Sequence, residues 1–173
     1  MGIATDPSTR GSDGPPRGYR EHRHPGFARV GVGYGGGEEP QAALELAASI
    51  ALAEGGELRV EAIVDDRLPP TWSAGLTGNA ALLPEWEQAL SEEMRKARTE
   101  AQAAAEQTGA HVTATVARGK PADTLLELSK TVDLMVIGSR RLGPVARLLL
   151  GSTGEALLHD AACRVLVVPR PPA

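Results

Sequence analysis

From Phe27 to Val168 the chain alternates short β-type runs with helix-forming stretches, and that alternation leaves few folds open. Phe27 to Tyr34 (FARVGVGY) reads as the first strand. Glu38-Glu39-Pro40 then opens a helix, because acids suit its positive end and proline suits its first turn. The helix runs through Leu44, Ala47, Ala48 and Ala51 and stops at Gly55-Gly56. Leu58 to Val64 is the second strand, and Asp65 to about Leu83, with Pro69, Pro70, Gly75 and Gly78, is mainly loop. Pro84 starts a long helix that ends near Gly109, with Glu92 and Lys96 at a four-residue spacing on a solvated face. His111 to Ala117 is the third strand, Pro121 to Lys130 a short helix and Val132 to Ile137 the fourth strand. Ser152 to about Asp160 is the last helix and Arg164 to Val168 the fifth strand. Strict alternation predicts an α/β fold: a five-stranded parallel, doubly wound sheet with right-handed crossovers and helices on both faces. Strands one, four and five are near-continuous apolar runs, as strands covered on both faces should be.

Ligands of such sheets bind beyond the carboxyl ends of the strands, where strand order reverses. The loops after strands one and four are therefore the candidate site. Gly138 is expected to break strand four. Ser152-Thr153-Gly154-Glu155 spells a capping box, in which serine and glutamate satisfy backbone N–H groups at a helix start. A helix start beside a glycine loop favours an anion, through unpaired N–H groups and the helix dipole. Arg140, Arg141 and Arg147 add positive charge nearby, or are solvated surface.

The chain has 173 residues, a net charge of −4 and 3% aromatic residues. Length suits one domain. The charge gives no reason to expect nucleic acid as the main partner, and so few aromatics make a base-stacking platform for single strands unsuitable. Residues 1 to about 25, with Pro7, Pro15, Pro16 and Pro25, are expected to form a disordered tail, in which His22 and His24 are ordinary polar residues. The folded domain is expected over residues 26–170, with 171–173 as a C-terminal end. No apolar run reaches the roughly 18 residues of a membrane helix, and the N-terminus lacks the apolar segment of a signal peptide. Cys163 is the single cysteine, so no intrachain disulfide forms, which is compatible with a reducing cytoplasm.

Four segments, Val32 to Ala51, the strand ending at Val64, Arg118 to Arg141 and Leu142 to Pro169, match in order and spacing a known pattern. The chain resembles the universal stress protein family over roughly Phe27 to Pro169. The resemblance implies a sheet order of 3-2-1-4-5, a homodimer through the last strand (Arg164 to Val168) and a cytoplasmic role in stress response. Many members bind ATP, with Mg2+ accompanying the nucleotide; others bind none. In ATP-binding members the phosphate loop reads glycine, two residues, glycine, nine residues, glycine, then serine or threonine. Gly138 matches the first glycine, Gly151 and Ser152 match the last pair, and the spacer Leu142 to Leu150 is intact, but Arg141 stands at the second glycine. The family's adenine-contacting aspartate falls where this chain has Gly35-Gly36-Gly37. Val64 matches the position whose backbone meets adenine.

The nucleotide-binding set implied is Gly33, Gly35, Val64, Gly138, Arg140, Arg141, Gly151, Ser152 and Thr153. Losing the aspartate costs about 0.5–1.5 kcal/mol for one hydrogen bond. Arg141 costs about 1–2 kcal/mol if the backbone there is left-handed, whereas in an accommodating backbone its guanidinium can bind phosphate. The reading is an ATP-binding regulatory module; the alternative is a nucleotide-free dimer that docks partners.

Other motifs point elsewhere only weakly. Gly31, Gly33 and Gly36 fit GxGxxG, but the first two lie inside a strand rather than after it. Gly119-Lys120 resembles the end of a Walker loop, yet Pro121 stands where Ser or Thr must hold magnesium, so Gly119 is read as a turn. His159 suits the C-terminus of the last helix, and Cys163 is read as a small buried hydrophobe. No nucleophile elbow, general base or metal-ligand cluster is present, so any ATP hydrolysis would be slow. Trp72 and Trp86 flank the loop before the long helix and fit a core, a lid or an interface equally well.

Overall fold

The computed structural model describes residues 26–35, 38–67, 83–141, 148–149 and 151–169, with the backbone alone at 38–39, 140–141 and 148–149. The expected tail with His22 and His24, Gly36 and Gly37, Trp72, Arg147 and residues 171–173 lie outside the described residues. In chain order the elements are β1 (Arg29–Tyr34), α1 (Glu38–Glu54), β2 (Glu57–Val64), α2 (Leu83–Glu106), β3 (His111–Arg118), α3 (Pro121–Ser129), β4 (Leu134–Arg141), β5 (Leu148–Leu149), α4 (Ser152–Asp160) and β6 (Arg164–Pro169).

Five strands run parallel in the order β3-β2-β1-β4-β6, the 3-2-1-4-5 order that the resemblance implied. The two-residue β5 adds an antiparallel pair at the end of β4, Arg140 with Leu149 and Arg141 with Leu148. The expected break at Gly138 does not occur. β4 continues to Arg141 because β6 holds it extended, with Gly138 opposite Val168 and Ser139 opposite Pro169.

Each helix buries one face against the sheet, and the two sheet faces build two cores. α1 and α2 cover one face, where Leu44, Ala47, Ala51, Ala101 and Ala105 pack on Val30, Val32, Leu58, Val60 and Val136. α3 and α4 cover the other, where Leu125 and Leu157 pack on Met135 and Ile137. Strict alternation in β2 buries Leu58, Val60, Ala62 and Val64 on one face, and the first three join the first core. Alanine dominates α1 and α2, so these helices lie close to the sheet with few aromatic side chains to fill the gap. On the other face β1 presents Gly33, where an added Cβ would lie 2.9 Å from Leu125 Cδ1. The bare backbone there lets α3 sit flush on β1, which is why this glycine is inside a strand. Gly119, with φ of +145°, makes the expected turn into α3, and its N–H reaches the Val64 carbonyl at 3.0 Å.

At the amino ends of β1 and β4, Arg29 and Asp133 are tied by four hydrogen bonds. Arg29 donates its backbone N–H to Oδ2 at 2.9 Å, its Nε to Oδ2 at 3.3 Å and an Nη to Oδ1 at 2.8 Å, while Asp133 N–H donates to the Arg29 carbonyl at 2.8 Å. The Arg29 guanidinium holds the Asp133 carboxyl below its ordinary value. On α2, Glu92 pairs with Arg95, and Lys96 reaches toward Glu100 at 3.9 Å, so the Glu92–Lys96 spacing does not form the pair.

Two outcomes follow from this packing. Leu125→Ala should lower stability by about 2–5 kcal/mol, because a 5% exposed side chain between α3 and β1 leaves a cavity; denaturant unfolding measures it. Asp133 is depressed in the folded state, so its contribution is present above the unfolded value of about 3.9 and is lost as pH falls through the lower folded value. Asp133→Asn should therefore be less stable than wild type at neutral pH, with the gap closing below about pH 4 in unfolding curves.

Candidate functional site

A cavity of about 370 Å3 opens at the carboxyl ends of β1 and β4. It lies at the reversal of strand order, where β1 pairs with β2 on one side and with β4 on the other. Its floor is Ile63, Leu125 and Ile137, and its rim is glycine backbone and the first turn of α4. Of the residues expected from sequence, Gly33, Gly35, Gly138, Gly151, Ser152 and Thr153 all line this one space. Gly33 and Gly35, in and just after β1, lie more than a hundred residues before those of β4 and the start of α4, and only the sheet order brings the two groups together.

The start of α4 differs from expectation. Gly151, with φ −65° and ψ 171°, is the N-cap, and no side chain caps it. Ser152 is already the first helical residue, so the capping box does not form: its hydroxyl cannot reach back over the turn it belongs to. The first bond within the helix runs from Glu155 N–H to the Gly151 carbonyl at 3.0 Å. The N–H groups of Ser152, Thr153 and Gly154 therefore have no acceptor among the described residues, and all three residues face the cavity. This is a stronger anion site than a capped helix would offer.

Arg140 and Arg141 lie at the end of β4, in the extended backbone paired with β5. Among the described residues no residue other than glycine has a positive φ, so Arg141 replaces the expected glycine without left-handed strain. Beside Gly138, Ser139 is 1% exposed and its hydroxyl has no hydrogen-bond partner among the described residues. A hydroxyl buried in that state costs about 1–3 kcal/mol, which a bound molecule or water would offset.

Val64 does not line the main cavity. It borders a second one, of about 210 Å3, between the carboxyl ends of β1 and β2 and the helix α2. Its carbonyl already accepts the Gly119 N–H. Tyr34, Gly35 and Ile63 line both cavities. Sequence reading passed over Tyr34, Ile63 and Leu125 as ordinary strand and helix residues, and no local signal marks them. It also took the α2 charges as a solvated face, although Glu93, Lys96 and Glu100 border the second cavity.

Ion pairs tie the segment after β2 to β3 and α2. Arg118 bridges Asp66 after β2, at 3.3 Å, and Glu87 of α2, at 3.2 Å. Arg67 chelates Asp65 and, by hydrogen bonding, holds that carboxyl down to about 2. The half-buried Cys163 packs in the α3/α4 core, as expected of a small hydrophobe, and burial pushes its thiol up, away from nucleophilic chemistry. Among the described residues no group of three or more His, Cys, Asp or Glu could hold a metal ion, and no helix is long and apolar enough to cross a membrane.

A doubly wound α/β fold with an uncapped helix start over a glycine-lined crevice defines a class of small ligand-binding modules. Residues 26–169 match the universal stress protein family, and the chain belongs to it. A universal stress protein of Methanocaldococcus jannaschii is 34% identical over 84 residues, 47% of this chain and 49% of that protein. One of Thermus aquaticus is 34% identical over 88 residues, 49% of this chain and 64% of that protein. The chain thus spans about half to two thirds of the length of these relatives. Among solved structures, the universal stress protein UspA of Lactobacillus plantarum superposes with a TM-score of 0.66 at 24% identity, over 84% of this chain and 99% of that one. A universal stress protein solved in complex with cAMP superposes at 0.59 with 23% identity, over 84% of this chain and 99% of that one.

Proposed function

We propose that this chain is a regulatory module of the stress response that binds an adenine nucleotide, ATP or a related phosphorylated adenosine, at the crevice between β1 and β4. The observation that carries the reading is the first turn of α4: three N–H donors without an acceptor among the described residues, at a cavity of about 370 Å3 that Gly138 also lines. A phosphate there meets the positive end of the helix and a bare strand backbone that lets it approach closely. Ser152 and Thr153 add hydroxyls, and Arg140 and Arg141, at the end of β4, add charge to the same corner of the sheet. The cAMP-bound relative supports a ligand of this chemistry. Mg2+ would arrive with ATP, held by the phosphates rather than by a cage of protein ligands. The cavity's described lining residues would bind and orient the nucleotide, and any hydrolysis would be slow, since none of them is a general base. A cytoplasmic setting, where nucleotide is abundant, fits this use.

Isothermal calorimetry with ATP should give measurable binding that weakens roughly tenfold in Ser152→Ala, the loss of one hydroxyl bond to a charged group. No heat at millimolar ATP would remove the reading and leave the alternative, a nucleotide-free protein that docks partners.

One observation favours self-association in either case. Among the described residues β6 pairs with β4 alone, and its Val165, Leu166, Val167 and Val168 all remain partly exposed. Pairing with β6 of a second copy would cover this apolar edge and its unpaired backbone. Sedimentation at micromolar concentration should report a dimer, and Val168→Lys should shift it to monomer with unchanged circular dichroism. A monomer at every concentration would contradict the pairing.

A further inference from the structure

We propose that the basic segment at residues 17–24 of this same chain docks in the groove between α1 and α2, with its arginines against Glu45, Glu54 and the carboxyl ends of the two helices. This surface is separate from the crevice at β1 and β4, and the proposal does not depend on what binds there.

The groove is a cavity of about 300 Å3. One wall is a single face of α1, from Gln41 through Glu45 to Leu52, and the other is the end of α2, at Ala104 and Thr108. Leu52 is 54% exposed, so the groove offers apolar surface as well as charge. Glu45 and Glu54 are both exposed, and among the described residues neither has a Lys or Arg within ion-pair distance. Glu45 accepts from the neutral Gln41 amide at 3.0 Å. Neither α1 nor α2 carries a basic residue in its last turn. The negative ends of both helix dipoles therefore lack a complementing cation from their own helices, and they meet at the same end of the groove.

The segment that reaches this end is basic. A Cβ on Gly26 would lie 2.6 Å from Glu54 Oε2, so the chain arrives beside the last turn of α1, two residues past Leu52. Only Pro25 separates residues 17–24 from Gly26. They read RGYREHRH: Arg17, Arg20 and Arg23 against one acid, Glu21, with Tyr19 as an apolar ring to set against Leu52. The α1 wall is roughly 17 Å long at 1.5 Å per residue. Eight residues reach up to about 28 Å, so the segment can run the length of the groove. The short connection decides between this occupant and a separate chain. Exposed ion pairs are individually weak, but a tether raises the effective concentration to the order of millimolar, which lets weak pairs hold the segment in cis.

Trypsin on the full chain, with mass spectrometry of the products, reads docking, because cleavage tracks the undocked population. At low salt, cleavage after Arg20 and Arg23, taken relative to cleavage after Arg10, should rise about fivefold in the double variant Glu45→Gln, Glu54→Gln, the loss of two exposed ion pairs. Salt at about 1 M, where the Debye length is near 3 Å, should produce the same rise in the unmodified chain, so the test does not hang on the variant's folding. Arg10 lies outside the docked segment and corrects for changes in the protease itself. Ratios that neither the variant nor salt moves overturn the proposal. Protection that grows with protein concentration also overturns it, by assigning the groove to a segment of a second copy.

Discussion

Right-handed crossovers fix almost everything else in this molecule. The chain leaves β1 toward β2 and β3, and α1 and α2 therefore cover one face. It then returns past β1 to β4 and β6, which puts α3 and α4 on the opposite face. Neighbouring strands β1 and β4 thus send their following helices to opposite sides. Between them the carboxyl edge of the sheet stays uncovered, and the crevice is a consequence of the topology rather than of any local motif.

Small residues turn that crevice into a site. Gly33 lets α3 settle on β1, Gly35 leaves the end of β1 open, and Gly138 presents bare backbone within β4. Gly151, as the N-cap without a side chain, leaves the first-turn donors of α4 unclaimed among the described residues. Each substitution of a larger or capping residue would close part of the space or consume part of its hydrogen-bonding capacity. The charged pairs after β2, Arg118 with Asp66 and Glu87, and Arg67 with Asp65, are exposed and serve geometry more than stability.

The departures from the family's usual phosphate loop have a structural reading. Arg141 stands in extended backbone paired with Leu148, so arginine is tolerated where a glycine is usual. Gly35 removes a side chain from the end of β1 but costs no packing, because nothing lies within 4 Å of the missing Cβ. Gly35 lines the cavity without closing it.

The order and type of the elements were legible in the sequence, because hydrophobic periodicity and the Pro and Gly signals at helix ends are local. α4 runs from Ser152 to Asp160 as read, and α1 begins at Glu38 as read. The helix start that lines the crevice was legible too, since a glycine followed by a helix start is a local pattern. Gly138 as a strand break and Ser152 as a cap failed for one reason: pairing with β6 decides whether β4 continues, and the path into Gly151 decides which residue caps α4. Tyr34, Ile63 and Leu125 became site residues only in three dimensions, through strands and helices that the sheet order sets side by side. The chain alone determined an alternating α/β molecule with an anion-friendly helix start; the tertiary structure decided that this start opens onto a trough running to α2, because a cavity belongs to the space between elements and no single segment encodes it.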